Sequence, residues 1–240
     1  MKNLMFGVAL FCVSVLKAQA PDYNDLNILC EDEKYEKLVG AAEKYTTNDK
    51  TKSDALPYFW MARGLYKVSQ SGTDNEKFKN AYKDAVGVIA KCIKFDKDGK
   101  VREEYNEFFA EFENSMIEMI SNDLAANQPK KAQAWIPKYM KIYPKSPGAK
   151  LLEGACKFKN SDKGGANTNW KEADALLKEV TDFASLSEAE KNILKIGIFQ
   201  TVDCYTSSKQ TEKAKVLLGK VSQWYEGDAE FKEKYDAVVN

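Results

Sequence analysis

The sequence predicts an all-α protein. Beyond residue 20, apolar residues recur at three- and four-residue intervals almost without interruption. No stretch alternates apolar with polar residues as a half-buried strand does. The interruptions fall where turn chemistry puts them, at Asp98-Gly99, Asn127-Gln128-Pro129 and Pro144-Lys145-Ser146-Pro147. About ten helices are expected from this pattern.

The first segment is an address rather than a structural element. Lys2 is followed by an apolar stretch from Leu4 to Leu16 and then by Ala18-Gln19-Ala20, the layout of a secretory signal peptide. A stretch of thirteen residues is too short for a membrane span of about 20. Cleavage after Ala18 and cleavage after Ala20 both remain open, the latter leaving Pro21 first. Cys12 follows Ala9-Leu10-Phe11, which is unlike a lipoprotein box. Residues 1–20 are thus expected to be a signal peptide. Residues 21–240 are expected to be a single helical domain without a membrane span. An exported location follows, with the periplasm favoured over secretion or peripheral association with the outer membrane.

The helical faces come in order. Tyr58, Met61, Ala62, Leu65 and Tyr66 make the first. Tyr105, Phe108, Phe109, Phe112, Met116, Met119 and Ile120 make a second, on one long pattern over 101–126. Ala173, Leu176, Leu177 and Val180 form a third; Leu194, Ile198, Val202 and Tyr205 a fourth; Ala214, Leu217, Leu218 and Val221 a fifth. Ser187 with Glu190 reads as a capping box. Pro137 should start or kink a turn.

Composition removes whole classes of chemistry. The 240 residues hold no His, so neither His-based nucleophile systems nor His metal sites can form. Basic and acidic residues balance at 36 each, and all basic residues are Lys except Arg63 and Arg102. Lysines interleaved with carboxylates, as in Glu212-Lys213-Ala214-Lys215, describe solvated helix faces and not a nucleic-acid footprint. Cys30, Cys92, Cys156 and Cys204 each fall in a helical pattern, which favours buried thiols over disulfides. No Cys-x-x-Cys pair offers a zinc site. Asp96-Lys97-Asp98-Gly99 glances at a calcium loop, but Lys94 and Tyr105 stand where the first and last ligands belong. Glu103 with Glu104, and Glu111 with Glu113, are too close in sequence to face one another on a helix. Phosphate loops, nucleophile elbows and dinucleotide turns are missing from the sequence. Neither a catalytic residue, nor a cofactor, nor a metal is expected.

A spacing recurs along the chain. Ala132, Ile136, Tyr139 and Pro144 repeat the intervals of Ala214, Leu218 and Val221, preceded by Met116, Met119 and Ile120 in one case and Ile198, Val202 and Tyr205 in the other. Trp60 and Gly64 with Ala85, Ile89 and Cys92, and Gly154 with Ala173, Leu177 and Val180, do the same around insertions. Leu38, Ala42 and Tyr45 suggest a partial unit before them. The pattern resembles the tetratricopeptide-repeat (TPR)-like superfamily, whose helix-pair unit of about 34 residues carries small or apolar residues at positions 4, 7, 8, 11, 20, 24 and 27 and Pro at 32. The resemblance covers about 200 residues and implies a helical-hairpin repeat array, an α-α superhelix. Small residues at 8 and 20 mark the close approach of the two helices of a hairpin. The departures are the charged or polar residues Arg63, Glu153 and Thr201 at position 7. Two insertions, about Ser69–Glu76 and Asn160–Asn169, are further departures, expected to project as polar loops from one edge.

The resemblance also implies a concave groove lined by positions 2, 5, 9, 12 and 13 of each first helix. Carried onto this chain, these are Tyr58, Met61, Leu65 and Val68; Asn114, Ile117 and Ser121; Leu151, Ala155 and Phe158; Ile196, Phe199 and Asp203. Met61 and Leu65 replace the Lys and Asn of carboxylate-clamp members, so an apolar helix or extended segment suits the groove better. The expected function is a non-enzymatic exported scaffold or adaptor that binds another protein of the bacterial cell envelope. The alternative is a glycan- or small-ligand-binding module that stacks its ligand on Trp60, Trp135 or Trp170. A carboxylate-pair enzyme is the third possibility.

Overall fold

The computed structural model describes residues 21–240, which form α-helices and two short 3-10 turns with no strand. Residues 1–20, expected to be a signal peptide, lie outside the described residues. Twelve α-helices follow: α1 (Asn24–Glu31), α2 (Tyr35–Thr47), α3 (Ala55–Ser71), α4 (Ala81–Phe95), α5 (Lys100–Glu104), α6 (Asn106–Ala125), α7 (Pro129–Tyr139), α8 (Pro147–Lys159), α9 (Lys163–Glu179), α10 (Glu188–Ser207), α11 (Thr211–Val221) and α12 (Ala229–Val239). The count exceeds the expected ten. One reason is that the long pattern over 101–126 is two helices, broken at Tyr105 (φ −111°, ψ 32°), whose ring stacks on Phe59 with centroids 4.0 Å apart.

The helix boundaries follow local chemistry. Ser187 and Glu190 form the capping box that the sequence announced, with reciprocal bonds of 3.1 and 3.2 Å at the start of α10. Asn127 takes a left-handed conformation between α6 and α7, and Pro129 opens α7. Pro137 sits in the last turn of α7, which ends two residues later. Asp96 accepts hydrogen bonds from the backbone N–H groups of Val101 (3.1 Å) and Arg102 (2.9 Å), so its carboxylate is spent on the start of α5.

The second insertion is not a projecting loop. Lys163-Gly164-Gly165-Ala166-Asn167 forms the first turns of α9. Asp162 caps it, accepting from the Gly165 N–H at 2.8 Å, and a Cβ on Gly165 would collide with that carboxylate at 2.2 Å. Two glycines beside polar residues mimic loop composition, yet here they make room for a cap. The first insertion does contain a loop, after the left-handed Gly72, but it folds back. Glu36 on α2 accepts from the Thr73 hydroxyl (2.9 Å) and the Asn75 amide (3.0 Å), and Phe78 is buried.

Neighbouring helices pack as antiparallel pairs. Tyr58 reaches Thr46 while Gly64 meets Val39, which sets α3 against α2; Tyr66 pairs with Tyr82 and Tyr58 with Phe95, which sets α4 against α3. Gly154 lies against Trp170 and Ala166 of α9. The small residues expected at close approaches are all buried: Ala85, Ala132, Ala173 and Ala214. Gly64, however, packs on the preceding α2, where a Cβ would stand 2.9 Å from Val39, and not on α4.

The three polar departures have partners. Arg63 stacks on Trp60 at 5.7 Å. Glu153 is held by Lys157 (3.3 Å), Lys150 (3.7 Å) and the Asn169 amide. Thr201 donates to the Leu151 carbonyl at 3.2 Å. Glu153 and Thr201 are thus hydrogen-bonded across to neighbouring helices, and Arg63 rests on an aromatic ring of its own helix, so the pattern tolerates all three.

Two apolar clusters result. One gathers α1 to α7 around Phe59, Phe112, Ile120 and Tyr139; the other gathers α9 to α12 around Trp170, Ile198, Leu218 and Phe231. Helices α8 and α10 serve both. Helix α8 gives Ala149, Leu152 and Cys156 to the first and Leu151 and Ala155 to the second, and α10 gives Ala189 and Ile193 to the first and Leu194, Ile198 and Val202 to the second. No helix of the described residues is long and apolar enough to cross a membrane.

Candidate functional site

The sequence-derived groove residues occupy three kinds of environment. Tyr58, Leu65, Ile117 and Leu151 are core residues, all below a tenth exposed; Val68 and Ala155 are buried with them. Tyr58 also donates its hydroxyl to the Lys52 carbonyl at 2.8 Å. Met61, Phe158, Phe199 and Asp203 are half-buried, as are Ser121 and Ile196, while Asn114 is exposed. Helix α12 covers part of this set: Phe231 packs 6.2 Å from Phe199, and Lys234 pairs with Asp203. Of these groove residues only Leu151 lines the cleft described next.

That cleft, of about 700 Å³, opens between α9 and α11, the second helices of two adjacent hairpins. Asn167, Trp170, Lys171, Asp174 and Leu177 line it from α9, all at helical spacing on one face. Glu212, Lys213, Val216, Leu217 and Lys220 line it from α11. Leu151 of α8 and Tyr205 of α10 form the floor.

The floor is fixed by packing. The Trp170 indole donates to the Leu151 carbonyl at 3.2 Å and lies 4.6 Å from the Tyr205 ring. Gly154 makes this possible, because a Cβ there would stand 2.4 Å from the indole nitrogen. Burial, followed by the fields of Asp174 and Cys204, pushes the Tyr205 hydroxyl up to about 12. The rims are charged. Lys220 of α11 pairs with Asp174 of α9 across one end, and Lys178 joins at 3.2 Å. These ammonium groups, Lys220 first, hold the Asp174 carboxyl below the usual carboxylate range. At the other end Lys213 lies 5.7 Å over the Tyr205 ring. Val216 stands on the rim with 65% of its surface exposed. The arrangement can bury apolar side chains against a rigid aromatic floor and bind charged flanks at its edges.

Sequence reasoning missed this cleft, although one residue signals it. Ala214, Leu217, Leu218 and Val221 define the buried stripe of α11, and Val216 is an apolar residue outside that stripe.

The groups considered for chemistry are placed apart. Glu111 pairs with Lys67 at 2.9 Å on the surface. Glu113 is 2% exposed and points the other way, bonded to Arg102 (2.9 Å) and accepting from the Tyr143 hydroxyl at 2.6 Å. Burial raises its pKa, with Tyr143 and Arg102 opposing. The four cysteines of the described residues are buried thiols in no disulfide. Desolvation pushes Cys92 and Cys156 up to about 12 and Cys204 up to about 11. Among the described residues no group of three Cys, Asp or Glu side chains converges as a metal site would. Of the three tryptophans offered as stacking surfaces, Trp60 and Trp170 are buried, and Trp135 is half-exposed. Comparison with known proteins returns no match to a family model, to a curated relative or to a solved structure.

Proposed function

We propose that this chain is a non-enzymatic, exported helical-hairpin scaffold of TPR-like design that binds a partner protein of the cell envelope. The site is the α9/α11 cleft, and its occupant is an amphipathic helix of the partner. One observation carries the reading: Val216 stands 65% exposed beside the apolar lining of Trp170, Leu177, Tyr205 and Leu217 between α9 and α11. A helix laid there would pack as α9 and α11 themselves pack, on side chains of α8 and α10. Covering Val216 contributes about 1–2 kcal/mol of apolar burial, enough to matter in a small interface. The repeat design is supported by the buried alanines at matched positions and by the tight contact between α8 and α10. Export is supported by the sequence of residues 1–20.

A photo-activated cross-linker at Val216, with one at Ile28 (47% exposed, on α1) as control, tests the reading in living cells. The expected result is an adduct at 216 only, mapped to the apolar face of a helix in another protein. An adduct with a second copy of this chain, equal yields at both positions, or none at 216 would reject it.

A further inference from the structure

A second cavity, of about 520 Å³, lies in the other half of the molecule, where the folded-back first insertion meets α4, α6 and α7. Its size falls within the roughly 300–1,000 Å³ of small-molecule sites. Its apolar walls are Val68, Phe78, Tyr82, Met119 and Trp135. Three lysines, Lys79, Lys83 and Lys138, share the lining, and none of the lining residues is acidic. In a chain whose charges balance, that is a local excess of positive charge.

The lysines differ in how they are satisfied. Lys79 pairs with Glu76 at 3.1 Å. Among the described residues Lys83 and Lys138 form no ion pair, and Lys138 instead rests 3.7 Å over the Trp135 ring. Burial first, then repulsion from Lys83 and Lys141, holds the Lys138 pKa below the usual ammonium range. The cation is therefore placed, partly desolvated and uncompensated. Glu118 acts electrostatically on Tyr82 but does not line the cavity.

Neutral acceptors complete the lining. The Ser69 hydroxyl donates to the Tyr66 carbonyl at 2.6 Å, which leaves its lone pairs; the Thr73 hydroxyl donates to Glu36 at 2.9 Å and accepts from the Asn75 N–H at 3.2 Å, which leaves one. Asn80 precedes α4 without using its side chain as a cap.

We propose that this cavity binds an acidic monosaccharide, a sugar ring bearing a carboxylate or a phosphate. The oxyanion sits between the ammonium groups of Lys83 and Lys138. The ring's hydroxyls donate to Ser69, Thr73 and Asn80, and its C–H face packs on Tyr82 and Trp135. A neutral sugar leaves both cations unpaired, and a free inorganic anion leaves the aromatic wall unused. This site is separate from the α9/α11 cleft and does not depend on the scaffold reading.

Isothermal titration at low ionic strength with glucuronate, glucose 6-phosphate, inorganic phosphate and glucose tests the proposal. At least one acidic sugar should bind about tenfold or more tightly than glucose and inorganic phosphate, a difference of about 1.4 kcal/mol. Its affinity should fall as salt is added. Lys83→Gln and Lys138→Gln should each weaken it about tenfold by the same conversion. Lys83 is exposed, so its variant folds normally and keeps the test open. Binding should perturb tryptophan fluorescence in the wild type and not in Trp135→Phe. Equal binding of glucose, equal binding of inorganic phosphate, unchanged affinity in both lysine variants, or no binding by either acidic sugar would overturn it.

Discussion

Gly148 on α8 and Gly197 on α10 meet backbone to backbone. A Cβ on Gly197 would stand 2.4 Å from the Gly148 carbonyl oxygen, and one on Gly148 would stand 2.4 Å from the Leu194 Cα. Three further contacts run along the same line: Leu151 against Gly197, the Thr201 hydroxyl on the Leu151 carbonyl, and Cys204 on the Ala155 carbonyl. The two helices are therefore parallel and closely joined over about two turns of α8.

Gly197→Ala should destabilise the protein by about 1–3 kcal/mol, because backbone atoms cannot yield to the added methyl. Gly87→Ala, mid-helix in α4 with nothing within 4 Å of the new Cβ, should instead stabilise by up to about 1 kcal/mol. Urea denaturation of both variants checks the opposite signs.

Arg102→Met should cost about 2 kcal/mol, less than the roughly 3–5 kcal/mol of breaking a fully buried pair, since Arg102 is a third exposed. The loss comes from leaving the Glu113 carboxylate buried and uncompensated, so adding Glu113→Gln should recover most of it. The pH dependence has a definite sign. Glu113 is harder to ionise in the folded chain than in the unfolded one. Its contribution is complete below the ordinary carboxylate value and is lost as pH rises through the folded value. Arg102→Met extends that window upward. Denaturation midpoints of wild type, Arg102→Met and the double variant across pH should show the steepest alkaline-side decline in the single variant.

Asp162→Ala should cost about 1 kcal/mol through loss of the α9 cap. Hydrogen exchange should rise at Gly164, Gly165 and Ala166 and remain slow near Ala173, which lies deeper in the helix. Equal protection in both variants would show that the cap is idle.

Native Cys92, Cys156 and Cys204 should resist alkylation at neutral pH, since burial raises all three thiols well above it. Mass spectrometry after a brief thiol-reagent pulse should find them unmodified, and fully modified in denaturant. A bridged pair would fail the second half.

Val216→Glu should change stability by no more than about 0.5 kcal/mol, as expected for an exposed position. It should nonetheless remove partner adducts formed at a neighbouring cleft position such as Lys213. A variant that unfolds, or that keeps full adduct yield, counts against the α9/α11 site.

The sequence was legible where helical period and small residues act together. Ala85, Ala132, Ala173 and Ala214 are buried as their spacing required, and the Ser187/Glu190 box forms as written. It misled where composition stood in for geometry. Gly164-Gly165 looks like a loop until Asp162 is seen to need the space above Gly165. The period over 101–126 is continuous in apolar character, while the backbone turns at Tyr105 because that ring packs on Phe59. The sites were less legible than the fold. Motif positions named Tyr58, Leu65, Ile117 and Leu151, and large aromatic neighbours and flanking helices draw these side chains inward. Both cavities depend on the spacing between helices far apart in sequence, a quantity no local pattern encodes. Lys83 comes to share a cavity with Trp135 and Lys138 only once Tyr82 of α4 meets Trp135 of α7.

Helices α8 and α10 each touch both apolar clusters, so the border between them runs along helices and not through a connecting loop. No cut at that border leaves two pieces that are each complete. A fragment ending before Pro147 would lack Ala149, Leu152 and Cys156 from its interior, and one beginning after Lys159 would lack Leu151, Ala155 and the acceptor for Trp170. Heat or denaturant should accordingly melt the two halves in a single step, and expression of either half alone should yield a chain that does not hold its shape.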